Sequence, residues 1–226
     1  MAGKLKRNLL AAFFTCIAAG AGTTYYALEI EPKSFHISEQ AVQTENMDEE
    51  LSGLRVAVMA DLHAGARFID LDHVRDVVRD INAANPDIVL MPGDFINSGH
   101  EWGSHYDDFT EEQIVKELSK IKAPKIATHG NHEYIRKKHM LPDALAELFR
   151  ANDITFLDNQ SAAIETRLGT IWIAGLDDAY RGRPDYDATF DDIPEDASIL
   201  YMTHNPDGFL MLDRPVALSV AGDTHC

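Results

Sequence analysis

The chain has 226 residues, with 37 Asp and Glu against 20 Lys and Arg and a formal charge of −17. That balance argues against a surface that wraps duplex nucleic acid or docks on anionic lipid by charge alone, although bound divalent ions can invert the sign locally for an anionic substrate. Two cysteines, Cys16 and Cys226, exclude a disulfide framework and the spacing of a zinc knuckle.

Lys4, Lys6 and Arg7 precede an uncharged stretch from Leu9 to Leu28, long enough to cross a bilayer as a helix. The basic flank would stay cytoplasmic, and Tyr25 and Tyr26 suit the far interface. A transmembrane anchor over residues 1–30 is therefore expected. A cleaved signal sequence, for which the Ala and Gly around residues 18–22 offer sites, is the alternative, and a buried core helix the third. Either of the first two sends the rest of the chain out of the cytoplasm, as a single-pass protein of the cell membrane or as a secreted one.

Residues 31–53 read as a linker and an edge strand. "KSFHISEQAVQ" alternates apolar and polar residues, which suits a short strand, and "TENMDEELSG" is a charged turn.

From residue 54 onward, one domain of alternating elements is expected. "LRVAVMA" is a β-branched apolar run. Leu71, Val74, Val78 and Ile81 then lie on one face of a helix, which Pro86 ends. "DIVLM" is a buried strand. "TEEQIVKELSKI" is a helix with Thr110 as N-cap. "PKIAT" is a third strand, and "PDALAELFRAN" a third helix with Pro142 in its first turn. "ITFLDN", "AAIETRLGTIWIAGL", "ASILYMT" and "VALSVAG" add strands, the second of them a hairpin around Leu168 and Gly169. Strand–helix alternation in the first half indicates βαβ units, and the hairpin indicates a mixed or second sheet. The class is α/β.

Each apolar run ends on a polar cluster. These are Asp61-Leu62-His63, Gly93-Asp94, His129-Gly130-Asn131-His132-Glu133, His204-Asn205 and Gly222-Asp223-Thr224-His225. In an open α/β sheet the carboxyl ends of the strands gather at the edge where ligands bind. One such cluster is an ordinary turn; five converging ones make a site. Asp, Asn and His form a hard-to-borderline donor set, and without a thiolate among them a structural zinc site is disfavoured. Their number exceeds the need of one ion. Two ions about 3.5–4 Å apart that share a carboxylate fit it better.

The order Asp-x-His, Gly-Asp, Gly-Asn-His-Glu, His and Gly-x-Thr-His resembles the calcineurin-like metallophosphoesterases over residues 54–225. "YYALEIEP", "GLRVAVMADLHAG", "GLDDAYRG" and "THNPD" resemble the membrane-associated bacterial subgroup, related to lipid-precursor pyrophosphohydrolases and secreted phosphoesterases. The resemblance implies a four-layer α/β/β/α sandwich. It also implies Asp61, His63 and His225 on one metal ion, Asn131 and His204 on the other, and Asp94 bridging them. His132 would be catalytic, over the phosphorus. A metal-bridging hydroxide would attack a phosphomonoester, phosphodiester or pyrophosphate bond in line. The cofactors would be two divalent ions, with Mn²⁺ favoured, and the substrate a phosphorylated small molecule or a lipid-linked one. Asp178 and Arg136 are candidate substrate contacts, and Asp177 stands beside the first of these. Residues 97–108, with His100 and His105, form a long loop suited to further contacts.

Two departures qualify the resemblance. The family has histidine on the second ion where Asp223 stands, and aspartate there would favour harder ions or leave that site weak. The family also continues past this motif with further strands, so the chain is expected to be part of a longer protein whose C-terminal strands are missing. The alternative function is a degenerate metal-binding or interaction protein with an impaired second site.

Overall fold

The computed structural model describes residues 2–31, 34, 36–97, 108–135 and 140–225. They form two compact units, residues 1–40 and 41–226. In the first, α1 (Ala2–Tyr25) continues into a wider helical turn, Tyr26–Ile30. Residues 6–30 make it one helix long and apolar enough to cross a membrane, with none of that window buried. Residues 36–43, where the alternation suggests an edge strand, form no strand. Ile37 and Val42 stay more than half exposed, so the alternation has no sheet face to bury.

The second unit is built on two four-stranded sheets. In the first, β1 (Val56–Val58), β2 (Ile88–Pro92), β3 (Lys125–Thr128) and β4 (Thr155–Phe156) lie side by side, all parallel. Three helices connect them: α2 (Leu71–Ala84), α3 (Glu111–Leu118) and α4 (Pro142–Arg150). The helix ends follow local chemistry. Asp70 caps α2 by accepting from the His73 N–H, Gln113 accepts from the Thr110 N–H at the start of α3, and Pro142 occupies the first turn of α4.

In the second sheet β5 (Gln160–Thr166) and β6 (Gly169–Gly175) form an antiparallel hairpin. β7 (Ile199–Met202) and β8 (Leu218–Val220) add to it in parallel. The short helix α5 (Tyr186–Phe190) and a 3₁₀ turn (Pro206–Met211) flank this sheet.

The period-two geometry of a strand sorts the core into layers. Val89 and Met91 of β2 pack with Val74, Val78, Leu118 and Phe149 of the helices. Ile88 and Leu90, on the opposite face, pack with Ile171, Ile173, Leu200 and Met202 of the second sheet. Ala174, Ile199 and Tyr201 turn outward against Phe190 and Phe209. The architecture is helix, sheet, sheet, helix. Residues 44–53 belong to it: Leu51 is buried between the sheets, the Asn46 amide donates to the Val216 carbonyl, and the Asp48 N–H donates to Ser198 Oγ.

Candidate metal centre

β1, β2 and β3 of one sheet and β6, β7 and β8 of the other are parallel within their sheets, and the loops at their carboxyl ends converge. Backbone pairing carries each loop alongside the next. Asp61 N–H donates to Gly93 O at 3.2 Å, and His63 N–H to Asp94 O at 2.9 Å. Two further bonds cross between the sheets: Asp223 N–H to Asp61 Oδ1 at 3.0 Å, and His204 Nδ1 to Pro92 O at 2.7 Å. Glu133, buried, holds the loops after β2 and β3 together, accepting from the N–H groups of Asp94, Phe95 and Gly130 at 2.8–3.0 Å. Burial and the Asp94 charge raise its carboxyl above the ordinary range, against the lowering effect of those N–H groups.

Close approach of these loops requires glycine at Gly130, where a Cβ would lie 2.3 Å from Asp94 Oδ1. The loops also twist into left-handed backbone. Of eight described non-glycine residues with positive φ, five are Asp61, His63, Asp94, Asp223 and His225, at 54°, 45°, 56°, 66° and 50°. Aspartate and histidine tolerate that region better than other side chains, and strain of this kind collects at functional sites.

The donor atoms gather around Asp94, whose Oδ2 lies 3.3 Å from His204 Nε2, 3.5 Å from His63 Nε2 and 3.9 Å from His132 Nε2. Asp94 Oδ1 accepts from the His132 N–H at 2.8 Å. Asp61 Oδ1 lies 3.6 Å from His225 Nε2 and 4.0 Å from His204 Nε2. Three trios have donor atoms within metal-binding range of one another: Asp61, His63 and His225; Asp61, Asp94 and His204; and His63, Asp94 and His132. Asn131 adjoins them, with its amide nitrogen 2.8 Å from Asp223 Oδ1.

The donor set fits a cation. The Pro92 carbonyl takes the proton on His204 Nδ1, so Nε2 is left buried with no hydrogen-bond partner among the described residues. It faces oxygens of Asp94, Asp61 and Asp223 at 3.3–4.0 Å. His63 and His225 bring their Nε2 atoms within 3.2 Å of each other, close enough for both rings to serve one cation. Burial alone would lower the His204 imidazole, but the Asp94 carboxylate outweighs it and raises the group to about 9. For His63, burial wins over Asp94 and lowers the imidazole to about 4. Burial would raise Asp94 itself, yet His204 and the His132 N–H hold it below the ordinary carboxylate range. Burial raises Asp61.

The structure thus brings together Asp61, His63, Asp94, Asn131, His132, His204, Asp223 and His225. Asp178 is fully buried: Oδ1 accepts from the N–H groups of Tyr180 and Arg181 inside its own turn, and Oδ2 has no hydrogen-bond partner among the described residues. Asp177 is committed likewise, to the Tyr134 hydroxyl and the N–H groups of Asp178 and Arg183. Arg136, His100 and His105 lie outside the described residues. Glu133 and Asn205 are structural partners of the site; the sequence reading places them in the polar clusters and assigns them no role. His129, Asp158 and Asp177 form another trio in metal-binding range. There His129 Nδ1 lies 3.4 Å from Asp158 Oδ2 and 3.9 Å from Asp177 Oδ1, and Asp158 raises the imidazole against the effect of burial.

The calcineurin-like phosphoesterase family model matches residues 54–226. An uncharacterized metallophosphoesterase of Bacillus subtilis, YkuE, is 27% identical over 228 residues, covering 97% of this chain and 76% of its own length. A Danio rerio transmembrane protein with a metallophosphoesterase domain is 24% identical over 239 residues, covering 99% of this chain and 51% of its own length. The UDP-2,3-diacylglucosamine pyrophosphatase LpxG of Chlamydia trachomatis is 24% identical over 265 residues, covering 96% and 77%.

Proposed function

This chain belongs to the calcineurin-like phosphoesterase family of hydrolases, and from that premise we propose that it hydrolyses a phosphoester or pyrophosphate bond with two divalent ions held at the junction of its sheets. The observation that carries the reading is the position of Asp94, with one carboxylate oxygen within 3.5 Å of both His63 Nε2 and His204 Nε2. Asp61, His63 and His225 would hold one ion, Asn131 and His204 the other, and Asp94 both. When bound, two such ions supply Lewis acidity toward phosphoryl oxygens and a lowered pKa for water, which suits in-line displacement. Carboxylate, amide and imidazole donors favour a borderline-to-hard ion, Mn²⁺ foremost.

His132 is the residue left for proton work. Its backbone N–H is bonded to Asp94 and its ring packs 4.5 Å from that of His63, so the imidazole is held beside the donors while remaining partly exposed. From there it can stabilise charge on the phosphoryl group and protonate the departing oxygen. The ions would also offset the acidic surface for an anionic substrate.

A lipid-linked phosphorylated substrate is the class we favour. Support comes from the apolar N-terminal helix and from the named substrate of the Chlamydia relative. Residues 1–30 would anchor the chain in the membrane with residues 54–226 as the extracytoplasmic catalytic domain, linked by 31–53. Hydrolysis of bis-p-nitrophenyl phosphate by the Mn²⁺-loaded chain, compared with Asp94→Asn, tests the activity. Turnover that needs Mn²⁺ and is lost in the variant is expected; equal turnover in the two would sink the reading. One observation favours a rival with an impaired second site: both oxygens of Asp223 are taken by side-chain amides, those of Asn131 and Asn205. Counting bound Mn²⁺ separates the two, at two ions or at one.

A further inference from the structure

Asp223 sits between two side-chain amides. Its Oδ1 accepts from Asn131 Nδ2 and its Oδ2 from Asn205 Nδ2, both at 2.8 Å. An amide has one donor end and one acceptor end, and a carboxylate at this distance only accepts. The NH₂ end of Asn131 therefore faces Asp223, and its carbonyl oxygen is the end left to coordinate. Asn205 has no freedom to turn either, because its Oδ1 accepts from the Asp207 N–H at 2.9 Å at the start of the 3₁₀ turn. The carboxylate is thus gripped at both oxygens. Its backbone N–H is committed to Asp61, and its backbone is left-handed. Its nearer oxygen stands 3.7 Å from His204 Nε2.

We propose that Asp223 is a positioning residue: held by Asn205, it fixes the amide of Asn131 so that the carbonyl oxygen is presented to the second ion. Asn205, adjacent in sequence to His204, is its backstop. The proposal rests on the dinuclear reading, in which Asp223 holds neither ion. Each oxygen of the carboxylate keeps a further lone pair, so the orienting role is separated from a ligand role by how the second ion responds to substitution.

Asn205→Ala tests the grip on Asp223, and Asp223→Asn separates orienting from ligating. If Asp223 positions Asn131, the carboxylate swings free and the second ion is weakened, by about 10-fold or more, the usual effect of losing a partner that orients a ligand. The measurement is calorimetric titration of Mn²⁺ into the metal-stripped full chain in detergent. The expected result is two ions on the wild type, with the tighter one unchanged and the weaker one loosened in Asn205→Ala. The isosteric Asp223→Asn gives a second reading if that variant fails to fold. It keeps an acceptor for Asn131, so the second ion should be loosened and still present. Unchanged or tighter binding in Asn205→Ala, or complete loss of the second ion in Asp223→Asn, overturns the proposal. A wild-type chain that takes up a single Mn²⁺ overturns the dinuclear reading, and this proposal with it.

Discussion

Asp94 and His204 face each other across the junction of the two sheets, Oδ2 to Nε2 at 3.3 Å, while the other ring nitrogen of His204 is tied to the Pro92 carbonyl. The imidazole has one free position, and that position points at a carboxylate. Proton and metal ion therefore compete for the same nitrogen.

That competition has a measurable sign. His204, raised to about 9, carries its proton at neutral pH, whereas His63, lowered to about 4, does not. Mn²⁺ entering beside His204 should release about one proton at pH 7.5, and its affinity should rise about tenfold per pH unit up to roughly pH 9. The metal-free fold should behave in the opposite way. A raised imidazole stabilises it fully below the unfolded value near 6.5, and that contribution is lost as pH rises through 9. Titrations in buffers of different ionisation enthalpy read the proton directly. Heats that do not depend on buffer would refute this.

His132 is expected to matter for rate and not for metal. His132→Ala should lower kcat by about 10²–10⁴, the range for a lost acid–base group, with two Mn²⁺ still bound by elemental analysis. A loss of bound metal equal to the loss of rate would show that the ring holds an ion instead.

Gly130 offers a test that removes no polar group. An added Cβ would meet Asp94 Oδ1 at 2.3 Å and Asp94 N at 2.4 Å, both set in the Glu133 network. Gly130→Ala should cost about 1–3 kcal/mol in urea unfolding and reduce Mn²⁺ uptake at the same time. Wild-type metal content would show that the two loops can separate without disturbing Asp94.

Membrane association is expected to reside in the first unit. The full chain should sediment with membranes and resist alkaline carbonate extraction, and a chain beginning at Ala41 should stay in the supernatant. Carbonate-soluble full-length protein would refute an anchor that spans the bilayer.

Much of the domain is legible in the sequence because its signals are local. The spacing of Val74, Val78 and Ile81 gives the buried face of α2, and the short gap between two apolar runs gives the β5–β6 hairpin. The ligand candidates are legible because each follows an apolar strand. The same signal does not foresee that Asp178 ties one carboxylate oxygen into its own turn. It also misleads at residues 36–43, since alternation records a possible face without recording whether a sheet is there to meet it. The roles of Glu133 and Asn205 were out of reach for a different reason. Glu133 finds the Asp94 and Phe95 N–H groups 39 and 38 residues away, and Asn205 finds a carboxylate 18 residues on. Such pairings exist only after the loops have converged. The helix α5, five residues long, is too short to show a period.

The left-handed backbone at Asp61, His63, Asp94, Asp223 and His225 limits how the site can vary. Each such residue costs on the order of 1–3 kcal/mol, which strand pairing and the Glu133 network help to offset. Only side chains that tolerate this region fit there, so a β-branched replacement at any of the five would disturb the loop as well as remove a donor.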